Sequence, residues 1–337
     1  MAASTGGTAT NTVMSLFNRH LQKRSEKSLR SVPVLYELFD KRPLPGKSGA
    51  TLFVPRHIAV SGIRVLVEGT VLDTCSTSAH YYSATVKGYG DVRRYSDFLV
   101  MVHEIPTMIS DDIEYMSRDA GLYIDNLCRT AISAKATSAT QIVAPDGSTV
   151  TNVLSATNLK QSALFQANTR LAAGNAPTYA DGTYAGVFHP KQTHDLFIST
   201  SGGNQLNRIL LGSDAVGGFL QQTEFGAQKL ERATMGILGN IRVIQNTNAP
   251  KAHNGGAAAM GFSAGSSGWS ALIMGPGAAA AIDLETARLK TFVKPIGSAG
   301  ALDGLDQLMT AGVKFYFAAV GMDRSNRLLS IPSGKTL

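Results

Sequence analysis

The most regular hydrophobic spacing in the chain lies between residues 109 and 133. Apolar residues recur there every three or four positions, as on one face of an α-helix. This face is made of Ile109, Ile113, Met116, Ala120, Tyr123, Leu127 and Ala131. Ser110 is a candidate N-cap, with Asp111 and Asp112 following it near the positive end of the helix dipole. About 25 residues at 1.5 Å each predict a rod of roughly 38 Å, suited to a structural spine.

The pattern before this helix is that of β-structure. Between residues 51 and 98, β-branched and aromatic runs begin at Thr51, Ile63 and His80 and are interrupted by glycines. No helical pattern lies among them to cover a sheet, and a ribbon of two or three strands is marginal alone in water. The ribbon therefore needs a surface to lie on, part of which could belong to another molecule.

After the long helix the chain alternates between the two kinds of pattern. A hairpin is predicted at 141–151, a helix at 159–173, and helical pieces near 214–235 and 302–311. Short strands are predicted at 196–198, 241–244, 271–274 and 314–320, and a Gly/Ala/Ser-rich loop at 249–268. This mixture places the chain in the α+β class.

Composition narrows the range of functions. The 337 residues carry a net charge of +7 and two cysteines, which excludes a disulfide framework and favours a reducing cytoplasm. The sequence has neither a secretory-signal pattern nor an apolar run long enough to span a membrane. Charged residues are 16% of the chain, against about 25% in typical domains. Charge depletion is typical of interface cores, although an Ala/Gly-rich composition explains it equally well.

Positive charge is concentrated at the N-terminus. Residues 1–47 hold eight cations and three acidic residues, which leaves only +2 for the other 290. Residues 13–29 are predicted to form a helix whose one face carries Leu16, Phe17, His20, Leu21 and Arg24. A basic arm of this kind commonly meets nucleic acid or an acidic partner, while a solvated tail that only aids solubility is the alternative.

Two glycine motifs resemble signatures of catalysis and of cofactor binding. Gly261-Phe-Ser263-Ala-Gly265 spells a nucleophile elbow, but that motif needs a downstream His and the last one is His253. Residues 275–280 fit a dinucleotide fingerprint, but Pro276 removes a backbone donor from the turn. A tight strand-to-helix turn is the better interpretation of that segment.

One further group of residues is a candidate for metal binding. His189, His194 and Asp195 lie close together, but a five-residue His spacing is not diagnostic of a metal site. The sequence therefore predicts no catalytic residue, no cofactor and no metal.

The order of these features resembles that of a known family. A basic arm, a β-ribbon, a long helix and a mixed region with Gly-rich loops resemble the major capsid proteins of tailed bacteriophages, which have the Hong Kong 97 phage-like fold, and most closely a family from short-tailed phages. The landmarks are Glu68-Gly69, Tyr89-Gly90, Asp125, His189-Pro190 and residues 314–319. The chain departs from the family pattern at Gly304, where proline is expected, and at Val313, where an aromatic residue is usual.

The resemblance implies a domain organisation. The implied segments are an N-terminal arm at 1–50, an extended β-loop at 51–95, a peripheral domain at 96–185 with its spine helix at about 109–133, an axial domain at 186–305 and a C-terminal return to the peripheral domain at 306–337. The residues implied at the interface between subunits are Phe53, Val65, Val67, Glu68, Tyr81, Tyr82 and Tyr89. Those implied to face nucleic acid or a scaffold are Arg19, Lys23, Arg24, Lys27 and Arg30.

The implied function is structural. The subunit would assemble through hexamers and pentamers into an icosahedral shell around double-stranded DNA, without enzyme activity. Its partners would be itself, the packaged DNA bound non-specifically, and possible scaffolding, portal and decoration proteins, with no membrane. It would be made in the host cytoplasm and reside in the virion capsid. The alternatives are a nucleic-acid-binding protein acting through the basic arm and a serine hydrolase using Ser263.

Overall fold

The computed structural model describes residues 33–45, 49–57, 65, 68, 79–102, 105–136, 141–146, 158–198, 234–252, 268–284, 289–297, 305, 307–322 and 327–334. The helices are α1 (Leu35–Leu38), α2 (Asp97–Val102), α3 (Ile105–Ser133), α4 (Gln161–Ala173) and α5 (Pro190–Ile198). The strands are β1 (Asp40–Lys41), β2 (Thr51–His57), β3 (Ala79–Thr85), β4 (Lys87–Ser96), β5 (Tyr184–Phe188), β6 (Thr234–Leu238), β7 (Ile241–Gln245), β8 (Lys251–Ala252), β9 (Gly268–Met274), β10 (Ala279–Asp283), β11 (Leu289–Lys294), β12 (Leu308–Gly321) and β13 (Leu328–Gly334).

The first sheet is organised around the 14-residue strand β12. One edge of β12 pairs antiparallel with β4, and the other pairs with β11 and then with β10. The short β1 adds to β10 in parallel. Successive side chains alternate between faces, so Ala311, Val313 and Phe315 are buried against the core while Lys314 is exposed.

The second sheet has the order β13-β9-β5-β7-β6, with β8 also paired to β9. Strands β5 and β7 are parallel, and the other pairs are antiparallel. Both faces of this sheet are buried. Val187 and Leu272 belong to the core that contains α3, while Phe188 and Ile273 pack in a second core with α4.

The long helix α3 joins the two sheets through one core. The predicted helix is confirmed, and its buried side chains pack with residues of both sheets. It begins at Ile105, four residues earlier than predicted, because Pro106 is tolerated in the first turn. Ser110 is therefore inside the helix, so the predicted N-cap is wrong. Asp112 instead accepts hydrogen bonds from Arg93 and Tyr95 of β4.

Some local predictions are confirmed and others are wrong. The helix at 159–173 and the strands at 241–244, 271–274 and 314–320 are confirmed. The strand predicted at 196–198 is wrong, because α5 begins at Pro190, where proline favours a first helical turn. The helix predicted at 302–311 is wrong over its last four residues, where β12 has already begun.

The structure also differs from the predictions at the turn near 275–277 and at the hairpin at 141–151. The turn at 275–277 joins strand β9 to strand β10 and so carries the chain from the second sheet to the first. The hairpin at 141–151 is not formed by its described part, because Ile142 bridges Ser330 in parallel. Residues 214–233 of the helical piece predicted at 214–235 lie outside the described residues, and its last two residues belong to strand β6, so the prediction is wrong there. Of the Gly-rich loop predicted at 249–268, residues 251–252 form β8 and residues 253–267 lie outside the described residues.

The secondary structure crosses the implied domain boundaries. Leu35, Leu38 and Phe39, from the implied arm, are buried in the main core. Strands β10 and β11 pair with the C-terminal β12, although they fall in the implied axial segment. The last strand, β13, pairs with β9 of the second sheet.

Candidate assembly surface

One face of the β2–β3 ribbon is covered by the chain's own body. The strands pair antiparallel, with Val54 opposite Tyr82 and Leu52 opposite Ala84. Val54 is fully buried and packs in a small core with Ala280 of the first sheet. One face of the described β2–β3 pair is therefore buried within a single molecule.

The opposite face of the ribbon is uncovered, and we call it the ribbon face. Phe53 is 62% exposed and Tyr81 is 67% exposed, and their positions alternate with those of the covered side chains. Val65 and Glu68 are also exposed. An exposed aromatic surface of this kind is a candidate for contact with another protein surface.

The remaining members of the implied interface are placed differently. Tyr82 is half-buried on the covered side of the ribbon. Tyr89 is half-buried and lies between Phe315 and Tyr123, with ring centroids 5.5 and 5.1 Å away, and burial raises the pKa of its phenol. Tyr89 thus serves the fold of its own chain. Val67 lies outside the described residues.

The five cations of the implied internal surface belong to residues 1–32 and lie outside the described residues as well. They are Arg19, Lys23, Arg24, Lys27 and Arg30.

Sequence reasoning missed an apolar and basic patch on the outer face of the first sheet. Val92, Gly312 and Phe292 lie side by side on three adjacent strands. A Cβ added at Gly312 would come within 2.8 Å of the Val92 side chain, so glycine allows this close contact. Exposed cations surround the row at Arg94, Lys290, Lys294 and Lys314. Only the strand register brings these residues together, so no local sequence signal could have found the patch.

A second missed surface lies on α3, and we call it the outer stripe. Met108, Tyr115 and Leu122 follow one another at seven-residue intervals on the side opposite the core. Tyr115 is 57% exposed and Leu122 is 45% exposed. The seven-residue spacing was present in the sequence and could have indicated a second, exposed apolar face.

Asp125 forms a buried junction between three parts of the chain. Its Oδ1 accepts the backbone N–H of Leu35 at 2.7 Å, which fixes α1 to α3. Its Oδ2 accepts from Nδ2 of Asn246 at 2.9 Å and of Asn248 at 3.1 Å. Arg129, one turn further along α3, donates to Oδ1 of Asn248 at 2.7 Å. This network satisfies a carboxylate that would be costly to bury alone.

Asp112 forms the corresponding link between α3 and β4. Its carboxylate pairs with the guanidinium of Arg93 and accepts from the hydroxyl of Tyr95. Burial, together with the hydrogen bond to Asp112, raises the pKa of Tyr95 well above the ordinary value for tyrosine. The phenol therefore stays neutral and acts as a donor.

The glycine motifs and the His/Asp cluster singled out in the sequence do not form a reactive site in the described part of the chain. His189 stacks on Trp269 with ring centroids 3.4 Å apart, and its Nδ1 accepts the backbone N–H of Lys191. His194 is exposed and Asp195 is buried. Within the described ranges, no group of three His, Cys, Asp or Glu side chains could hold a metal ion. The Ser263 motif lies outside these ranges.

No described helix has the length and hydropathy needed to cross a bilayer.

Comparison with solved structures identifies the fold. The capsid of Ralstonia phage GP4 matches with a TM-score of 0.68 and 13% identity, covering 88% of this chain and 87% of the other. The capsid of cyanophage P-SCSP1u matches with a TM-score of 0.61 and 13% identity over 88% and 86%. The capsid asymmetric unit of cyanophage Pam1 gives 0.58 and 11% over 86% of each chain. No family model and no curated protein matches the sequence. The chain thus has the Hong Kong 97 phage-like capsid fold, as its sequence predicted.

Proposed function

We propose that this chain is a major capsid protein of a tailed bacteriophage. In this role many copies assemble through hexamers and pentamers into an icosahedral shell that encloses double-stranded DNA. The observation that carries the proposal is the shared capsid fold over nearly nine-tenths of both chains. The ribbon face supports it, because it leaves Phe53 and Tyr81 without cover within one molecule. The subunit would be made in the host cytoplasm and reside in the virion.

The parts of the subunit take roles within this proposal. The extended β-loop at 51–95, which contains the β2–β3 ribbon, lies over a neighbouring subunit, and α3 is the spine of the peripheral domain. The second sheet, with α4 and α5, supplies much of the axial domain around the hexamer and pentamer centres. Partners beyond the subunit itself are packaged DNA and, where the phage encodes them, scaffolding, portal and decoration proteins. The role is structural and uses no cofactor.

The first experiment asks whether the purified full chain assembles. Negative-stain microscopy over a range of salt and protein concentrations should show rings, shells or other regular assemblies. A monodisperse monomer at high concentration under all these conditions would contradict the proposal. Duplex binding by the monomer that weakens steeply with salt, without assembly, would favour the nucleic-acid-binding alternative. Labelling of Ser263 by a serine-directed activity probe would favour the hydrolase.

The second experiment tests the ribbon face. The double variant Phe53→Ser/Tyr81→Ser should lower the yield of assemblies by at least tenfold. Burying one such side chain in an interface contributes roughly 1.5–3 kcal/mol to the free energy of association. The variant's monomer should melt within about 2 °C of the wild type, since both side chains are exposed. Phe98→Ser, at another exposed aromatic residue, is the matched control. Equal assembly by the ribbon variant would remove this face from the interface.

A further inference from the structure

We propose that the outer stripe of α3 is the docking site for residues 13–29 of the same chain, bound as an amphipathic helix. This contact is internal to one subunit, so it goes beyond the proposed assembly and does not depend on it. It gives the basic arm a place on the folded body.

The outer stripe is an exposed apolar line on α3. Met108, Tyr115 and Leu122 lie along it at seven-residue intervals, so it supplies one of the two apolar positions per seven residues that a seam between paired helices uses. The line from the first to the last is about 21 Å long at 1.5 Å per residue. The core covers the other side of α3 and leaves this line exposed, so a segment outside the described body has access to it.

The segment 13–29 has matching length and polarity. As a helix it would be about 25 Å long. Leu16, Phe17 and Leu21 fall on one face of its first half, together with His20 and Arg24. Arg19, Lys23 and Lys27 recur at every fourth position and so form a single row beside that face.

Charge favours the same pairing. The segment 13–29 holds four cations and one acidic residue. Asp111 and Asp119 are exposed and lie on the two sides of the outer stripe, close to Tyr115, where they outnumber the one exposed cation beside it, Arg118. Helices paired along an apolar line commonly choose their partner through opposite charges on its flanks.

The chain enters the body close to the stripe. The backbone N–H of Leu35 lies 2.7 Å from the carboxylate of Asp125. Asp125 and Leu122 are three residues apart on α3, so they are neighbours on the helix surface. The six residues from Leu29 to Leu35 span at most about 20 Å, which brings the end of the segment within reach. A tether this short gives the segment an effective concentration in the millimolar range, which favours its own chain over a second copy.

A cross-linking experiment tests the site and the occupant together. The full chain is prepared with the photoreactive residue benzoylphenylalanine in place of Tyr115, both unlabelled and fully ¹⁵N-labelled, and the two are mixed as dilute, unassembled subunits. Irradiation should join position 115 to residues 13–29, with both peptides of each cross-link carrying the same label. Cross-links that mix the labels would make a second copy the occupant and overturn the proposal. Cross-links to other segments only, or none, would overturn it too.

Limited trypsin digestion measures the protection of the arm in the full chain. Cleavage after Arg19, Lys23 and Lys27 should be at least tenfold faster in the variant Tyr115→Ser/Leu122→Ser than in the wild type. Both replaced side chains are exposed, so unfolding measurements should show the body intact. Phe98→Ser, away from the stripe, is the matched control and should leave cleavage at the wild-type rate.

The same digestion separates docking from the binding of DNA. Equal cleavage of the wild type and the stripe variant would overturn the proposal. So would an arm that is protected only after duplex DNA is added. Because the digestion uses unassembled subunits, failure of the chain to form shells would not alter either result.

Discussion

Replacing Asp125 with asparagine should loosen the attachment of α1 to the long helix. The new side chain has nearly the same volume, but its amide offers one acceptor and one donor where the carboxylate offers two acceptors. If the new amide points its oxygen at the Leu35 N–H, its NH₂ group faces the donors of Asn246 and Asn248. If it points its oxygen at the two asparagines, its NH₂ group faces the Leu35 N–H. Each orientation loses at least one hydrogen bond to a charged group, so we expect a cost of about 2 kcal/mol or more.

Urea unfolding of the unassembled subunit, followed by circular dichroism, measures this cost. With a slope of about 3 kcal/mol per molar urea, the midpoint of Asp125→Asn should fall by roughly 0.7 M. Hydrogen exchange offers a local measurement, because 2 kcal/mol corresponds to about 30-fold faster exchange of the Leu35 amide. Asp119→Asn, at an exposed position on the same helix, is the control. A midpoint within about 0.2 M of this control, with unchanged exchange at Leu35, would refute the reasoning.

Three further predictions concern the contacts around the long helix. Gly321→Ala should lower the free energy of unfolding in urea by about 1–3 kcal/mol, because its Cβ would clash with the backbone oxygen of Ala131 in α3. Gly88→Ala should cost less, because its Cβ meets only the movable ring of Tyr316 at 3.0 Å, and equal costs would contradict this. Tyr95→Phe should be less stable than the wild type at neutral pH, and the gap should narrow above about pH 10. The raised pKa of Tyr95 favours its protonated form in the folded state, so its contribution is complete below the unfolded value and is lost as pH rises further; a gap that stays constant to pH 11 would disprove this. Burial raises the pKa of the Cys128 thiol, so a thiol reagent should modify this residue only on unfolding. In a Cys75→Ser variant, which leaves Cys128 as the one thiol, rapid labelling of the native subunit would contradict this burial.

The sequence predicted the structure well where one hydrophobic period continues over many residues. The buried face of α3 from Ile109 to Ile132 and the strand residues from Lys314 to Val320 are both of this kind, and both elements are present. The segment at 196–198 is apolar but only three residues long, and periodicity alone cannot distinguish a strand from a helix over that length. Pro190, eight residues before Ile198, was the better signal.

The candidate surfaces were predictable only in part. Exposure of Phe53 and Tyr81 agrees with their prediction as interface residues, but a contact with a second subunit stays a prediction. Tyr89 has the same residue type and is half-buried by Phe315 and Tyr123, because strand pairing places it on the inner face of the first sheet. Sequence alone gives the alternation along a strand and leaves open which face is inward.

The arm shows the same limit. The resemblance implies that residues 1–50 form an arm rather than part of the body. Leu35 and Leu38 instead complete a core whose other members are distant in sequence. A truncation intended to remove only the arm must therefore end before Pro33, because a longer deletion would open a cavity beside α3.

The pairing of β12 gives the subunit a preferred direction of mechanical strength. Bonds to β4 run along one edge of this strand, while bonds to β11 and β10 continue along the other. The bonds lie across the strand axis, so tension along the axis loads many of them in shear at the same moment. A pull at right angles would peel them apart one after another. If internal pressure stretches a shell wall parallel to β12, the wall meets that load along its stiffest direction.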